Sequence, residues 1–153
     1  MPVRFNLKDV KLLNTNYSLG RSPEEEPGAE DGFNSDQEKS VLRAELRCKA
    51  NYDKDKRLLR IILGVSTGSH AKPSFSLDVE MGAVFMLDSD PTEAELQSMS
   101  YINCPAIVFP YLREFVTEIT RRAGIPQVYL PPVNFVNMHR DLIAESNEEL
   151  PPA

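Results

Sequence analysis

Residues 75–87, FSLDVEMGAVFML, decide the fold that this chain is predicted to adopt. Every second side chain of the segment, from Phe75 to Leu87, is apolar, and the positions between them as far as Gly82 are polar or small. A period of two is typical of a β-strand that buries one face. The segment is therefore predicted to be a long strand lying on the core.

Two further apolar runs precede this strand. Residues 41–50 alternate between apolar and charged side chains, which indicates a half-buried strand. Residues 58–65 are apolar on both faces and predict an inner strand that is covered on both sides. The segments between the runs, at 53–56 and 67–73, are too short for a crossover helix, so the three strands are expected to pair as an antiparallel meander.

A fourth strand is predicted at the start of the chain, over 5–19, with one irregularity near Lys8 and Asp9 where the alternation slips. Residues 20–40 follow it, rich in glycine, proline and acidic side chains, and are predicted to form a mobile acidic loop. Phe33 is the single aromatic residue of that loop. Two roles stay open for it: an anchor to the body of the protein, or a contact for a ligand.

The apolar period becomes helical after residue 90. Asp90-Pro91-Thr92-Glu93 has the composition of a capping box and predicts a short helix, N-capped by Asp90, as far as about Ser100. A longer amphipathic helix is predicted over 107–123, ended by Gly124, and a last one over 134–146. Strands first and helices afterwards predict the α+β class, with a four-stranded antiparallel sheet and two main helices packed on one of its faces.

Length and composition favour a single domain over residues 1–153 that ends in an acidic tail at 146–153. The chain has 153 residues, 41% of them hydrophobic and 26% charged, and its net charge of −6 disfavours binding to nucleic acid. It has no apolar run of the ~18 residues that a membrane span needs, and no secretion signal at its start. We therefore expect a cytoplasmic protein that does not insert into the membrane.

These elements carry more apolar surface than one subunit is expected to cover. The 58–65 strand has two apolar faces, and the 107–123 helix has a wide apolar stripe. Large exposed apolar patches are rare on monomers. Another subunit or a ligand is therefore expected to cover the surplus.

One segment matches a catalytic motif. Residues 64–68, GVSTG, have the G-x-S-x-G pattern of serine hydrolases, with Ser66 as nucleophile and His139 as base. That mechanism needs a strand-to-helix turn over a parallel sheet, whereas these residues are predicted to form a hairpin turn. The sequence has no phosphate-binding glycine motif, and its two cysteines and two histidines are too few for the usual zinc sites. The residues alone thus indicate an interaction protein without a cofactor, and a serine hydrolase is the less favoured alternative.

Two segments of the C-terminal half resemble a known family. Residues 103–114, NCPAIVFPYLRE, and 125–135, IPQVYLPPVNF, contain Cys-Pro, Phe-Pro-Tyr, Pro-Gln and Pro-Val-Asn-Phe in the order found in the SecB protein-export chaperones. Residues 81–85 are similar to the end of that family's fourth strand. The chain is therefore identified as a SecB-like protein.

The function that the resemblance implies agrees with the surplus of apolar surface. SecB-like proteins are homotetrameric holdases, dimers of dimers, that bind unfolded or precursor polypeptides for export without ATP. Their grooves, lined by the loop after the first strand, the stretch between the helices and the last helix, accept apolar and aromatic segments. The matching positions of this sequence are Tyr17, Leu19, Phe33, Val128, Tyr129, Leu130, Val133, Phe135 and Met138.

The resemblance also implies two roles for the strand at 75–87. One of its faces joins dimers, and the other docks the SecA translocase motor through acids, here Asp78 and Glu80. The residues on the strand face that is expected to form the oligomer interface are Leu77, Val79 and Met81. Residues 16–20 lack the acids that the family brings to the docking patch. Two alternatives to an export chaperone therefore stay open: a SecB-like chaperone of a toxin–antitoxin system, and an oligomeric adaptor without chaperone activity.

Overall fold

The computed structural model describes residues 3–20, 43–70 and 74–148, with the backbone alone described for residue 43 and residues 144–148. Within these ranges the strands come first: β1 (Phe5–Leu19), β2 (Arg43–Asp53), β3 (Leu58–Ser69) and β4 (Phe75–Leu87). The α-helices follow: α1 (Glu93–Ser98), α2 (Cys104–Arg122) and α3 (Phe135–Glu148). Most of the predicted acidic loop, including Phe33, and the end of the predicted tail lie outside the described residues.

The strands form one antiparallel sheet in the order β1-β4-β3-β2. β2, β3 and β4 form the predicted meander, and β1 pairs with the free edge of β4, so the inner position of β3 is confirmed. β1 shifts register twice against β4, between Leu7 and Asp9 and between Leu12 and Asn14. The sequence predicted the first shift. The second shift was not predicted, because Leu12 and the extra residue Leu13 are both apolar and leave no visible break in the alternation.

The strand β3 is longer than predicted. It continues to Ser69 and pairs with both neighbours through the G-x-S-x-G segment, which the sequence placed in a hairpin turn. That prediction is wrong, because Val65 and Thr67 are buried while Ser66 and Gly68 lie on the outer face of the sheet. Small polar residues are compatible with an outer strand face, and in the sequence they were indistinguishable from turn residues.

The helical half begins with a cap at Thr92, not at the predicted Asp90. The Thr92 hydroxyl accepts a hydrogen bond from the Glu95 N–H at 3.1 Å, and the Glu95 carboxylate accepts one from the Thr92 N–H at 3.4 Å. Asp90 instead accepts from the Tyr52 hydroxyl at 2.9 Å, which ties this segment to β2. α1 then continues through a π-helical turn at Met99–Asn103 directly into α2.

The core lies between the inner face of the sheet and one side of α2. Its largest fully buried side chains include Phe85, Leu59, Ile61, Leu63 and Leu112. Leu77, Val79 and Met81 belong to the same buried layer, with exposures of 2%, 0% and 8%. These side chains are thus covered within one subunit, and their place at an oligomer interface stays a prediction.

The helices cover the middle of the sheet more fully than its edge. α2 packs on β3 and β4, whose inner-face residues are buried. Leu12 and Leu19 of β1 belong to the same inner rows but are 45% and 59% exposed. Apolar surface therefore remains uncovered on the described chain, as predicted. None of the described helices is long and apolar enough to cross a lipid bilayer.

We expect Thr92→Ala to lower the free energy of unfolding by about 1 kcal/mol, because the substitution removes the hydroxyl that accepts from the Glu95 N–H. Thr92→Ser keeps that hydroxyl and is the matched control. Chemical denaturation measures both variants. Equal stability of the two would show that the hydroxyl does not cap α1.

Candidate functional site

Residues 124–134, here called the connector, join α2 to α3 without regular secondary structure. Gly124 has a φ of 77°, a left-handed conformation that ends α2 and that glycine adopts at little cost. Further along, Val128 and Leu130 are buried, whereas Tyr129 between them is 64% exposed. The connector therefore behaves like a strand, with alternate side chains in the core and in solvent.

Two threonines of α2 hold the connector at Val128. The Thr120 hydroxyl accepts a hydrogen bond from the Val128 N–H at 3.0 Å, and the Thr117 hydroxyl donates one to the Val128 carbonyl oxygen at 2.9 Å. Thr120 is fully buried and also donates to the Val116 carbonyl oxygen at 2.9 Å. Both backbone polar groups of Val128 are thus satisfied by one helix, which fixes the point at which Tyr129 leaves the core.

An open pocket of about 400 Å³ lies between α2 and Tyr129. It is lined by Phe109, Pro110, Arg113, Glu114, Thr117, Glu118 and Tyr129. Hydrogen bonds from Arg121 and Arg122 lower the pKa of the Glu118 carboxyl to about 2, so this carboxylate is ionised at neutral pH. The pocket therefore combines aromatic and apolar walls with charged groups at its rim.

A second pocket, of about 410 Å³, lies at the other end of the connector. It is lined by Ile102, Ala106, Pro132, Val133, Asn134, Phe135 and Val136, without a charged side chain among these described residues. α3 is attached beside it through two ring contacts: Phe135 meets Phe109 edge-on at 5.8 Å, and His139 stacks on Tyr101 at 5.5 Å. The two pockets thus offer one mixed and one neutral surface on either side of the connector.

The structure divides the predicted groove residues into four groups. Leu19 and Tyr129 are exposed. Tyr17, Val133 and Met138 are half-buried against the core. Val128, Leu130 and Phe135 are core residues, although Phe135 also lines the second pocket, and their direct contact with a ligand stays a prediction. Phe33 lies outside the described residues.

Asp78 and Glu80, the predicted partner face, lie on the outer side of β4, where Arg47 of β2 contacts both. The Arg47 Nη2 atom is 2.6 Å from Asp78 Oδ1 and 3.9 Å from Glu80 Oε1. Arg47 Nη1 also donates to the Ser66 hydroxyl at 2.5 Å, and that hydroxyl donates to Asp78 at 3.3 Å. Ser66, the serine of the hydrolase motif, therefore lies within β3 and forms a hydrogen bond with Arg47. His139, the base in that hypothesis, instead stacks on Tyr101.

The cysteines do not have the properties of catalytic nucleophiles. Burial raises the pKa of Cys48 to about 11, and burial together with the nearby Cys48 raises the pKa of Cys104 to about 12. Both thiols are free and stay protonated at neutral pH. In the part of the chain that the structure describes, no three metal-binding side chains come together.

Sequence reasoning missed the contributions of Thr117, Thr120 and Arg47. For Thr120 a signal existed, because it follows Val116 by four residues on the apolar side of α2, where a hydroxyl requires a partner. For Arg47 no local signal existed, because its partners Ser66 and Asp78 lie 19 and 31 residues away in the chain.

The sequence matches the family model of the preprotein translocase subunit SecB over residues 22–146. The chain belongs to the SecB family. The protein-export protein SecB of Thioalkalivibrio sulfidiphilus is 29% identical over 146 residues, which are 94% of this chain and 79% of the relative. That of Mesorhizobium japonicum is 28% identical over 122 residues, which are 79% of this chain and 72% of the relative.

The fold agrees with a solved structure. The SecB-like chaperone of Mycobacterium tuberculosis, in complex with a ChAD peptide from the HigA1 antitoxin, superimposes with a TM-score of 0.66 at 21% identity. The match covers 86% of this chain and 88% of that chain, and it confirms the predicted α+β fold. SecB proteins form a non-enzymatic chaperone family, so the predicted function, a holdase chaperone of protein export, is confirmed at the level of the family.

We expect Thr120→Val to lower the free energy of unfolding by about 1–3 kcal/mol, because the Val128 N–H would remain buried without an acceptor. Hydrogen exchange at the Val128 amide should become faster. Thr120→Ser keeps the hydroxyl and is the control for exchange. If the amide exchanges equally slowly in the valine and serine variants, Thr120 does not hold the connector.

Proposed function

We propose that this SecB protein holds unfolded and precursor polypeptides in the cytoplasm, without ATP, by burying their apolar side chains against the connector. The observation that supports this most is Tyr129, a large aromatic side chain that is 64% exposed next to a residue fixed by two hydrogen bonds. An exposed aromatic side chain on a fixed backbone gives contact area at a small cost in conformational entropy. These are properties of a binding surface.

Affinity for many different clients follows from apolar contact. Burying about 150 Å² of aromatic surface at roughly 25 cal/mol per Å² contributes about 4 kcal/mol, before the entropy of ordering the client is subtracted. The neutral pocket beside Val133 suits apolar side chains, and the mixed pocket beside Tyr129 also tolerates charged neighbours in the client. Several such contacts along one extended chain bind it without requiring a defined sequence.

The test is suppression of aggregation. A chemically denatured protein is diluted into buffer with and without equimolar SecB protein, in the absence of nucleotide, and light scattering is followed. A delayed rise in scattering supports the proposal. An oligomeric adaptor without chaperone activity would leave the scattering curve unchanged, and that result would overturn it.

We expect Tyr129→Ala to weaken binding of an unfolded client peptide by about fivefold or more, a loss of about 1 kcal/mol that most residues of an interface do not reach. Met86→Ala is the matched control, because Met86 is also apolar and 44% exposed but lies on the outer face of the sheet. Fluorescence anisotropy of a labelled peptide measures both affinities. Equal effects of the two substitutions would exclude the connector as the binding surface.

We also propose that the protein assembles as a homotetramer, a dimer of dimers. Ile107 and Tyr111 support this, because they are four residues apart on α2 and are 38% and 45% exposed. Residues at this spacing lie on one side of a helix and form a continuous apolar strip. A helix from a second copy of the chain would remove this strip from water.

The double variant Ile107→Asp/Tyr111→Asp should therefore sediment as a smaller species, because each substitution would bury a charge at the contact between copies. Met86→Asp adds a charge at an exposed apolar position on the sheet and should keep the original mass. Analytical ultracentrifugation distinguishes them. An unchanged mass of the double variant would place the contact between subunits elsewhere.

We propose SecA as the partner that receives clients, docked on the outer sheet face at Asp78 and Glu80. The SecB family model, which is that of a preprotein translocase subunit, supports it.

A toxin–antitoxin chaperone is the second candidate, because the uncharged Asn16 is the β1 residue that pairs with Asp78, where the family usually brings acids. Calorimetry with SecA, and separately with the ChAD peptide of the HigA1 antitoxin, distinguishes the two roles: binding of the antitoxin peptide without binding of SecA would favour the second.

A further inference from the structure

The outer face of the sheet already contains a bound cation, the guanidinium of Arg47. In the register of the sheet, Arg47 is paired with Gly64 on β3, and Gly64 is paired with Glu80 on β4. The side chain of Arg47 therefore reaches across β3 to the acids of β4. It contacts Asp78 at 2.6 Å and Glu80 at 3.9 Å, so one internal guanidinium contacts both carboxylates.

Gly64 makes this reach possible. A Cβ atom at this position would lie 3.0 Å from Arg47 Nη2 and 3.2 Å from Glu80 Cγ. Both distances are shorter than ordinary van der Waals contact, so alanine would require Arg47 or Glu80 to shift slightly, and a larger side chain would occupy the place of the guanidinium over the strand. The close approach of Arg47 to the sheet thus depends on the missing side chain of Gly64.

The arrangement differs from an open acidic patch. Lys49 and Arg60 lie on the same outer face, since they pair with Ile62 and Val84 in the two outer-face rows that follow the row of Glu80. The contact of Arg47 is also accessible to water, because its side chain is 36% exposed and that of Asp78 is 46% exposed. An ion pair with this exposure is weak and exchanges readily with an external cation.

We propose that Asp78 and Glu80 form a guanidinium-binding site that Arg47 occupies from within, so that an arginine of a docking partner must displace Arg47. The inference rests on the proposed docking at this face and adds its regulation: the free protein holds its own site closed. Specificity follows from the planar guanidinium, which bonds Asp78 and Ser66 through two nitrogen atoms.

The experiment measures binding of a fluorescent octa-arginine peptide to the full chain at low ionic strength. Arg47→Gln should bind the peptide roughly threefold or more tightly than the original protein, because the internal competitor is removed. Arg60→Gln changes the net charge of the chain by the same amount on the same face and is the matched control. It should bind the peptide clearly less tightly than Arg47→Gln.

A second variant tests the same competition without a change in net charge. Gly64→Val places a branched side chain where the guanidinium lies over the strand, and this variant should also bind the peptide more tightly than the original protein. The triple variant Arg47→Gln/Asp78→Asn/Glu80→Gln should no longer bind the peptide more tightly than the original protein. The inference is overturned if Arg47→Gln binds no better than Arg60→Gln, or if the triple variant keeps the tighter binding.

Aggregation assays on the same proteins distinguish this inference from the proposed function. Arg47 lies on the sheet face away from the connector, so Arg47→Gln should suppress aggregation as the original protein does. If the original protein fails to suppress aggregation, the proposed function fails. The comparison of peptide affinities still decides the role of Arg47.

Discussion

One helix is too narrow to cover a four-stranded sheet, and much of this structure follows from that mismatch. Strands about 4.8 Å apart place the outer two axes of such a sheet about 14 Å from each other, whereas a helix with its side chains is about 10–12 Å wide. α2 lies on β3 and β4 and helps to bury Leu63 and Val79 completely. Leu12 and Leu19 of β1, which pair with the buried Met81 and Phe75 of β4, stay partly in water. The uncovered apolar surface is thus a consequence of the architecture.

The connector extends the cover that α2 provides, and its exposed tyrosine is a result of how it does so. An irregular segment over a core must satisfy its own backbone polar groups, and at Val128 the two threonines of α2 do this. Because Val128 and Leu130 both enter the core, the extended backbone turns Tyr129 outward. Burial and exposure along the connector are therefore coupled: the contacts that stabilise the core also hold the proposed binding surface in a fixed place.

The sequence predicted those features that depend on a local period. The meander, the inner position of β3 and the end of α2 at Gly124 follow from alternation, turn length and one glycine. Features that depend on contacts between distant residues were not predictable. The cap of α1 is Thr92 and not Asp90, because the Asp90 carboxylate accepts a hydrogen bond from Tyr52 of β2. The acids of the outer face form ion pairs because Arg47 reaches them from another strand. For the site, the sequence identified the apolar residues of the connector, but their direction is set by packing against α2.

Among the described residues, Leu13 and Met86 are the exposed large apolar side chains of the outer sheet face, and the others lie on the inner face or in the helical half. No second layer covers the outer face among the described residues, yet Ile62 and Val84 are only half-exposed. Two glycines explain this, because each lets a side chain from a neighbouring strand lie close to the sheet: Arg47 over Gly64, and Leu13 over Gly82. The bulge in β1 places Leu13 there, since the extra residue turns toward the outer face. The edge strands thus partly cover the outer face with their own side chains, whereas the inner face depends on a helix that is too narrow and leaves Leu12 and Leu19 exposed at its edge.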